Sequence, residues 1–129
     1  MKNPRFLWIV KILAALILVQ TLYFKFTGAP ESVFIFQTLG LEPYGRIGLG
    51  VVELITAILL LIPRTSLIGA ILGVGIMMGA VFSHIFVLGI EVQHDGGGLF
   101  TLALVTLLCC CIIVWTKKDE LIHFIKPKL

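Results

Sequence analysis

Residues 67–88 read LIGAILGVGIMMGAVFSHIFVL and contain no Asp, Glu, Lys or Arg. A helix needs about 20 apolar residues to cross the hydrocarbon core of a bilayer, so this stretch predicts a membrane-spanning helix. Its apolar residues are continuous and do not alternate with polar ones, as they do in the strands of a membrane barrel. Hydrophobic residues make up 59% and charged residues 13% of the 129-residue chain. A soluble domain of this length could not bury so much apolar surface, so the composition indicates an integral membrane protein.

Three further apolar stretches complete a prediction of four spans. With their ends set by Pro, Gly and interfacial aromatic residues, the predicted spans cover residues 6–25, 44–62, 66–88 and 98–116. The expected fold is an all-α membrane protein, a four-transmembrane-helix bundle forming a single domain over residues 1–129.

The segment between the first two spans is expected to hold a fifth, shorter helix. Glu31–Leu39 is mostly apolar, follows Pro30 and precedes Gly40. Glu near the start and Gly after the end are typical of helix termini. Because the segment is too short to cross a bilayer, we expect an interfacial or re-entrant helix.

The basic residues predict the orientation. One end of the four-span topology holds Lys2, Arg5, Lys11, Arg64, Lys117, Lys118, Lys126 and Lys128, whereas the other end holds only Lys25 and Arg46. The positive-inside rule therefore predicts a multi-pass protein of the cytoplasmic (plasma) membrane with both termini in the cytoplasm. Lys11, near the inner end, is expected to snorkel to the interface. The first span is expected to be a retained helix and not a signal peptide, because Pro30 directly follows the small pair Gly28-Ala29.

Several functional classes lack support in the sequence. The net charge of +3 is small and the basic residues cluster at the chain ends, so no nucleic-acid surface is expected. No metal site is expected at Cys109, Cys110 and Cys111, because consecutive helical residues point about 100° apart; small apolar packing residues are the simpler interpretation. P-loop, HExxH, GxSxG and Rossmann motifs are missing from the sequence. Any reactive part would therefore belong to a bound cofactor or a partner.

A layer of polar residues in the outer half of the predicted bundle is the strongest functional signal. Charged groups within a membrane are costly, and each is a functional candidate. The predicted ligand-binding residues are Gln20, Lys25, Glu53, His84 and Asp95, and no catalytic residue is assigned. Structural roles stay open for them: Glu53 in an ion pair with Lys25, Arg46 or His84, His84 as a hydrogen-bonded core residue, Lys25 as a snorkelling cation and Asp95 as a helix cap.

Helical spacing predicts which faces pack together. On the second span, Arg46, Gly50 and Glu53 share one stripe. On the third span, the corresponding stripe is Gly69, Gly73, Met77, Ala80 and His84, which turns His84 into the bundle. The small-residue pairs Gly69/Gly73 and Gly75/Gly79 are both expected to permit close helix approach.

The order of short motifs along the chain resembles the DoxX family. Lys25-Phe26-Thr27-Gly28 ends the first span, Leu39-Gly40-Leu41-Glu42-Pro43 precedes the second, Gly50-Val51-Val52-Glu53 lies within it, Pro63-Arg64 follows it, Ser83-His84 ends the third, and Asp95-Gly96-Gly97 precedes the fourth. The resemblance covers nearly the whole chain and implies a small four-helix membrane protein linked to membrane redox processes. The motif positions that carry over are Lys25, Gly28, Glu53, Arg64, His84 and Asp95. Related redox-associated members can carry cysteine pairs on the outer side, and this chain has none there.

The resulting hypothesis is a redox-associated membrane subunit that binds a quinone or a similar amphipathic small molecule in the outer half of the bundle. Glu53 and His84 would bond or exchange protons with the quinone oxygens, and Lys25 would balance charge. The expected partners are the lipid bilayer and a membrane redox protein, and a homo-oligomer stays open.

Three alternatives are weighed against this hypothesis. A non-catalytic accessory or scaffold subunit would use the glycine faces to pack against a partner. Haem ligation by His84 is disfavoured, because His94 lies in a glycine-rich loop and His123 at the opposite side. A small transporter is disfavoured because the spans lack inverted-repeat breaks.

Overall fold

The structure, a computed structural model, describes residues 4–42, 44–91, 96–119 and 122. Within those residues every regular element is helical. The helices are α1 (Pro4–Thr27), α2 (Pro30–Thr38), α3 (Tyr44–Leu61), α4 (Ser66–Ser83) and α5 (Gly98–Thr116), and a π-helical segment (His84–Leu88) continues α4. Four helices are long and apolar enough to cross a membrane: Arg5–Thr27, Tyr44–Leu61, Ser66–Leu88 and Gly98–Thr116. The predicted all-α four-span fold with a short additional helix is therefore confirmed.

A two-residue turn separates α1 from α2. Gly28 has a φ of 70°, in the left-handed region that residues with a Cβ avoid. Ala29 is extended, with φ −56° and ψ 146°, and Pro30 is the first residue of α2. Proline suits this position because its fixed φ is helical and its missing N–H would have no partner in the first turn. The chain thereby turns at the end of α1 and begins α2 immediately.

The four long helices form a closed ring. α1 packs against α3 and α5, and α4 packs against the same two helices, so the order around the ring is α1, α3, α4 and α5. α2 lies across one end of the ring and contacts α1, α3 and the π-helical segment. We call this end, where α1 ends and α3 begins, the α2 end. The buried core between the helices includes Leu18, Leu60, Cys110 and Ile113.

Close packing by glycine occurs at two of the four predicted positions on α4. A Cβ on Gly69 would lie 2.8 Å from the backbone nitrogen of Leu60, and one on Gly73 would lie 2.5 Å from Cys110 Sγ. The prediction is thus confirmed at Gly69 and Gly73. It is wrong at Gly75 and Gly79, where a Cβ would meet no atom within 4 Å. Side chains two residues apart on a helix point about 200° apart around its axis. Gly75 and Gly79 therefore do not share the packed face of Gly73.

The three consecutive cysteines point in different directions. Cys109 and Cys110 are buried in the core, whereas Cys111 is exposed. The interpretation as apolar packing residues is therefore confirmed for Cys109 and Cys110 and wrong for Cys111. The three thiols do not converge, as the angular spacing of helical residues requires.

Candidate functional site

A cavity of about 620 Å³ lies beneath α2 and is open at the surface of the bundle. All five helices and the π-helical segment contribute to its wall. Four of the five sequence-predicted residues line it: Gln20, Lys25, Glu53 and His84. The fifth, Asp95, lies outside the described residues, as do His94 and His123 of the haem alternative. The structure thus gathers residues from α1, α3 and the end of α4 around one space.

The charged centre of the cavity is an ion pair between α1 and α3. Lys25 Nζ lies 2.9 Å from Glu53 Oε1, and the side chains are 14% and 4% exposed, respectively. Glu53 Oε1 is fully buried and faces the Lys25 ammonium as its charge partner. An ionised carboxylate has about four lone-pair sites. Glu53 can therefore accept hydrogen bonds besides its contact with Lys25.

Arg46 fixes the end of α1 over the start of α3. Its Nε donates to both carboxylate oxygens of Glu42 at 3.0 Å, and its Nη1 donates to the backbone carbonyl of Lys25. The guanidinium also lies against Gly28, whose Cβ would be 3.7 Å from Nη1. One turn further along α3, Gly50 accommodates the ring of Phe26, which a Cβ would approach to 2.8 Å. Arg46 is buried, as its stripe predicts, and it holds the backbone that carries Lys25.

His84 is held by reciprocal hydrogen bonds with Gly89. The ring Nδ1 lies 3.0 Å from the Gly89 carbonyl oxygen, and the Gly89 N–H donates to the His84 carbonyl at 2.7 Å. Because a carbonyl only accepts, Nδ1 carries a proton, and a neutral ring then has Nε2 as its acceptor. Gly89 has φ 85° and ψ 164°, a conformation essentially limited to glycine. The ring packs edge-on against Phe100, with centroids 5.6 Å apart.

The predicted inward orientation of His84 is confirmed, since the residue is buried and lines the cavity. It is also the first residue of the π-helical segment. Such segments are rare and are often found at functional sites. The wider turn lets the chain reach Gly89 while His84 stays on the inner face.

Several polar lining residues were not among the predicted binding residues. Thr21, Glu31, Ser32, Ser83 and Thr106 all line the cavity. Ser32 is buried together with Phe36 on the inner face of α2. Their spacing of four residues is the signal that could have identified this face. Ser83 was noted only within the Ser83-His84 motif, and the threonines carry no signal in the sequence, because such residues are common in ordinary membrane helices.

The arrangement can hold a molecule that is polar at one end and apolar at the other. Charged and titratable groups gather at the α2 end, and aliphatic side chains make up most of the remaining wall. Within the described part of the chain, no three His, Cys, Asp or Glu residues are grouped as a metal site would require. The groups in reach are hydrogen-bond donors and acceptors, which fit reversible binding of a small molecule.

A family model described as the DoxX-like family matches residues 9–114. The match includes α2, α3, α4 and every residue that lines the cavity. No curated protein and no solved structure matches the chain.

Proposed function

The chain belongs to the DoxX-like family, and from that premise we propose that it binds a quinone or a similar amphipathic small molecule in its cavity. The observation that carries this proposal is the buried Lys25–Glu53 pair at one end of a mostly apolar cavity of about 620 Å³. Pockets of about 300–1,000 Å³ with apolar walls and a few polar groups are typical of small-molecule sites.

The polar groups suit both redox states of a quinone. A quinone carbonyl only accepts hydrogen bonds, and the Lys25 ammonium is a donor. A quinol hydroxyl donates, and the Glu53 carboxylate and His84 Nε2 are acceptors. Glu53 and His84 can also exchange protons with the ligand. The lining contains no cysteine, so we assign the electron exchange to a membrane redox partner protein and only binding and proton transfer to this chain.

Binding of a decyl-tailed benzoquinone to the folded protein in detergent tests the proposal. Glu53→Gln and His84→Ala are each expected to weaken binding about tenfold or more, because Gln replaces a charged acceptor by a neutral one and Ala removes the imidazole. Glu91→Gln is the matched control, since Glu91 is exposed and does not line the cavity. Unchanged affinity in both site variants, with the fold intact by size-exclusion chromatography, would contradict quinone binding at this site.

We further propose that the α2 end faces outward in a plasma membrane. The described basic residues at this end are Lys25 and Arg46. Those at or near the opposite end are Arg5, Lys11, Arg64, Lys117 and Lys118. This asymmetry favours cytoplasmic termini. A fluorescent protein fused after Leu129 should therefore fluoresce, and alkaline phosphatase fused there should be inactive. An active phosphatase at that position would reverse the proposed orientation.

A further inference from the structure

The two ends of the cavity differ in chemistry. The charged or titratable lining groups are Lys25, Glu31, Glu53 and His84. The lining residues farther from α2 include Ile17, Ile76, Met77, Leu102, Ala103 and Thr106. A ligand that fills the whole cavity must therefore be apolar over most of its length.

Four hydroxyl residues line the wall: Ser32 lies at the head end, in α2, and the other three do not change this conclusion. Thr21 donates to the Leu18 carbonyl at 2.8 Å, Ser83 donates to Gly79 at 2.8 Å, and Thr106 donates to Leu102 at 2.9 Å. Each donor is thus satisfied within its own helix. What these residues offer a ligand is mainly methyl and methylene surface.

Two glycines on α4 leave room along the wall. Gly75 and Gly79 line the cavity and are exposed, and a Cβ on either would meet no atom within 4 Å. They lie about 14 and 8 Å from His84 along the helix axis, at about 1.5 Å per residue. No described side chain fills the space beside them, and the cavity is open at the bundle surface. Both glycines lie within the membrane span Ser66–Leu88, so an opening beside them would meet lipid chains.

Resting on the proposed function, we infer that the ligand is a single-tailed amphiphile whose hydrocarbon tail runs along α4 past Gly79 and Gly75 into the bilayer. Its polar head sits at Lys25, Glu53 and His84. The head end is marked by the buried Lys25–Glu53 pair, whose Nζ and Oε1 lie 2.9 Å apart and which lines the cavity together with His84. The glycines supply the exit, because a larger side chain at either position would occupy the path of the tail.

Two probes separate the tail from the head: a decyl-tailed benzoquinone, and the same ring with a methyl group in place of the tail. Dissociation constants are measured in one detergent and corrected for partition of the probe into micelles. The unmodified protein should bind the decyl probe about tenfold or more tightly than the methyl probe. Gly75→Leu and Gly79→Leu should remove that advantage and leave the affinity for the methyl probe unchanged. Gly48→Leu on α3 is the matched control, since Gly48 is also exposed with no atom within 4 Å of a Cβ but does not line the cavity.

The outcomes distinguish this inference from the proposed function. If the unmodified protein binds the methyl probe as tightly as the decyl probe, the head site stands and the tail path is wrong. If both glycine variants retain the decyl advantage, the tail path is also wrong. If neither probe binds the unmodified protein, quinone binding itself fails. Leucine at these exposed helical positions is compatible with the fold, because it has a higher helix propensity than glycine.

Discussion

Replacing Lys25 by Met is expected to lower the free energy of unfolding by about 3–5 kcal/mol, the usual cost of removing one partner from a buried ion pair. Glu53 is 4% exposed, and Lys25 Nζ lies 2.9 Å from its Oε1. Methionine keeps much of the aliphatic stem of lysine but leaves the carboxylate without its counter-charge. Unfolding in mixed micelles of mild detergent and dodecyl sulfate measures the change.

A double variant tests whether loss of the Lys25–Glu53 ion pair causes the expected loss of stability. Lys25→Met combined with Glu53→Leu should recover most of the lost stability, because apolar residues often replace a buried ion pair at little cost. Lys118→Met is the matched control. Its ammonium lies 4.0 Å from the Trp115 ring centroid on an exposed side chain, so its loss should cost about 1 kcal/mol or less. Equal stability of the Lys25 single and double variants would show that Glu53 does not depend on Lys25.

Gly73→Ala is expected to lower the free energy of unfolding by about 1–3 kcal/mol through overpacking. Its new Cβ would lie 2.5 Å from Cys110 Sγ, while the next nearest atoms are at 3.6 Å or more. Adding Cys110→Ala removes the sulfur and should restore most of the loss. The same unfolding assay measures both variants.

Gly69→Ala provides the contrasting case. Its Cβ would approach backbone atoms of Leu59 and Leu60 at 2.8–3.0 Å, and no side-chain truncation relieves a backbone contact. It should therefore be destabilising with and without Cys110→Ala. Gly75→Ala is the control, because open space surrounds its Cβ and the higher helix propensity of alanine is worth up to about 1 kcal/mol. A loss of stability at Gly75 equal to that at Gly73 would contradict the packing described for α4.

The helices could be predicted because few backbone structures can cross a bilayer. Backbone polar groups must be satisfied internally in lipid, so long apolar runs become helices, and the predicted ends at residues 44, 66, 98 and 116 coincide with those of the structure. The prediction for Lys11 was wrong, because it was made from one helix without its neighbours. Lys11 was expected to snorkel, yet it is 3% exposed, with its ammonium 4.8 Å from the Trp8 ring centroid. Its burial depends on how neighbouring helices pack, which its own segment does not encode.

The sequence predicted the depth of the polar residues in the bundle but not the partner of each side chain. The sequence left Lys25, Arg46 and His84 open as partners of Glu53. Arg46 instead pairs with Glu42 four residues before it, a helical spacing that was visible in the sequence. The hydrogen bonds of His84 with Gly89 could not be anticipated, because stripe arguments assume 3.6 residues per turn and the chain is π-helical from His84.

The Lys25–Glu53 pair also constrains how the chain enters a membrane during synthesis. Lys25 emerges from the ribosome first, at the end of α1, and Glu53 follows within α3. An unpaired charge near the centre of an inserting helix costs about 2.5–3.5 kcal/mol, and an ionised Glu53 avoids that cost if α1 is still beside the insertion machinery when α3 arrives. The short connection through α2 keeps the two spans together for that interval. The first two spans are therefore best regarded as one unit of biogenesis, delivered to the lipid as a pair.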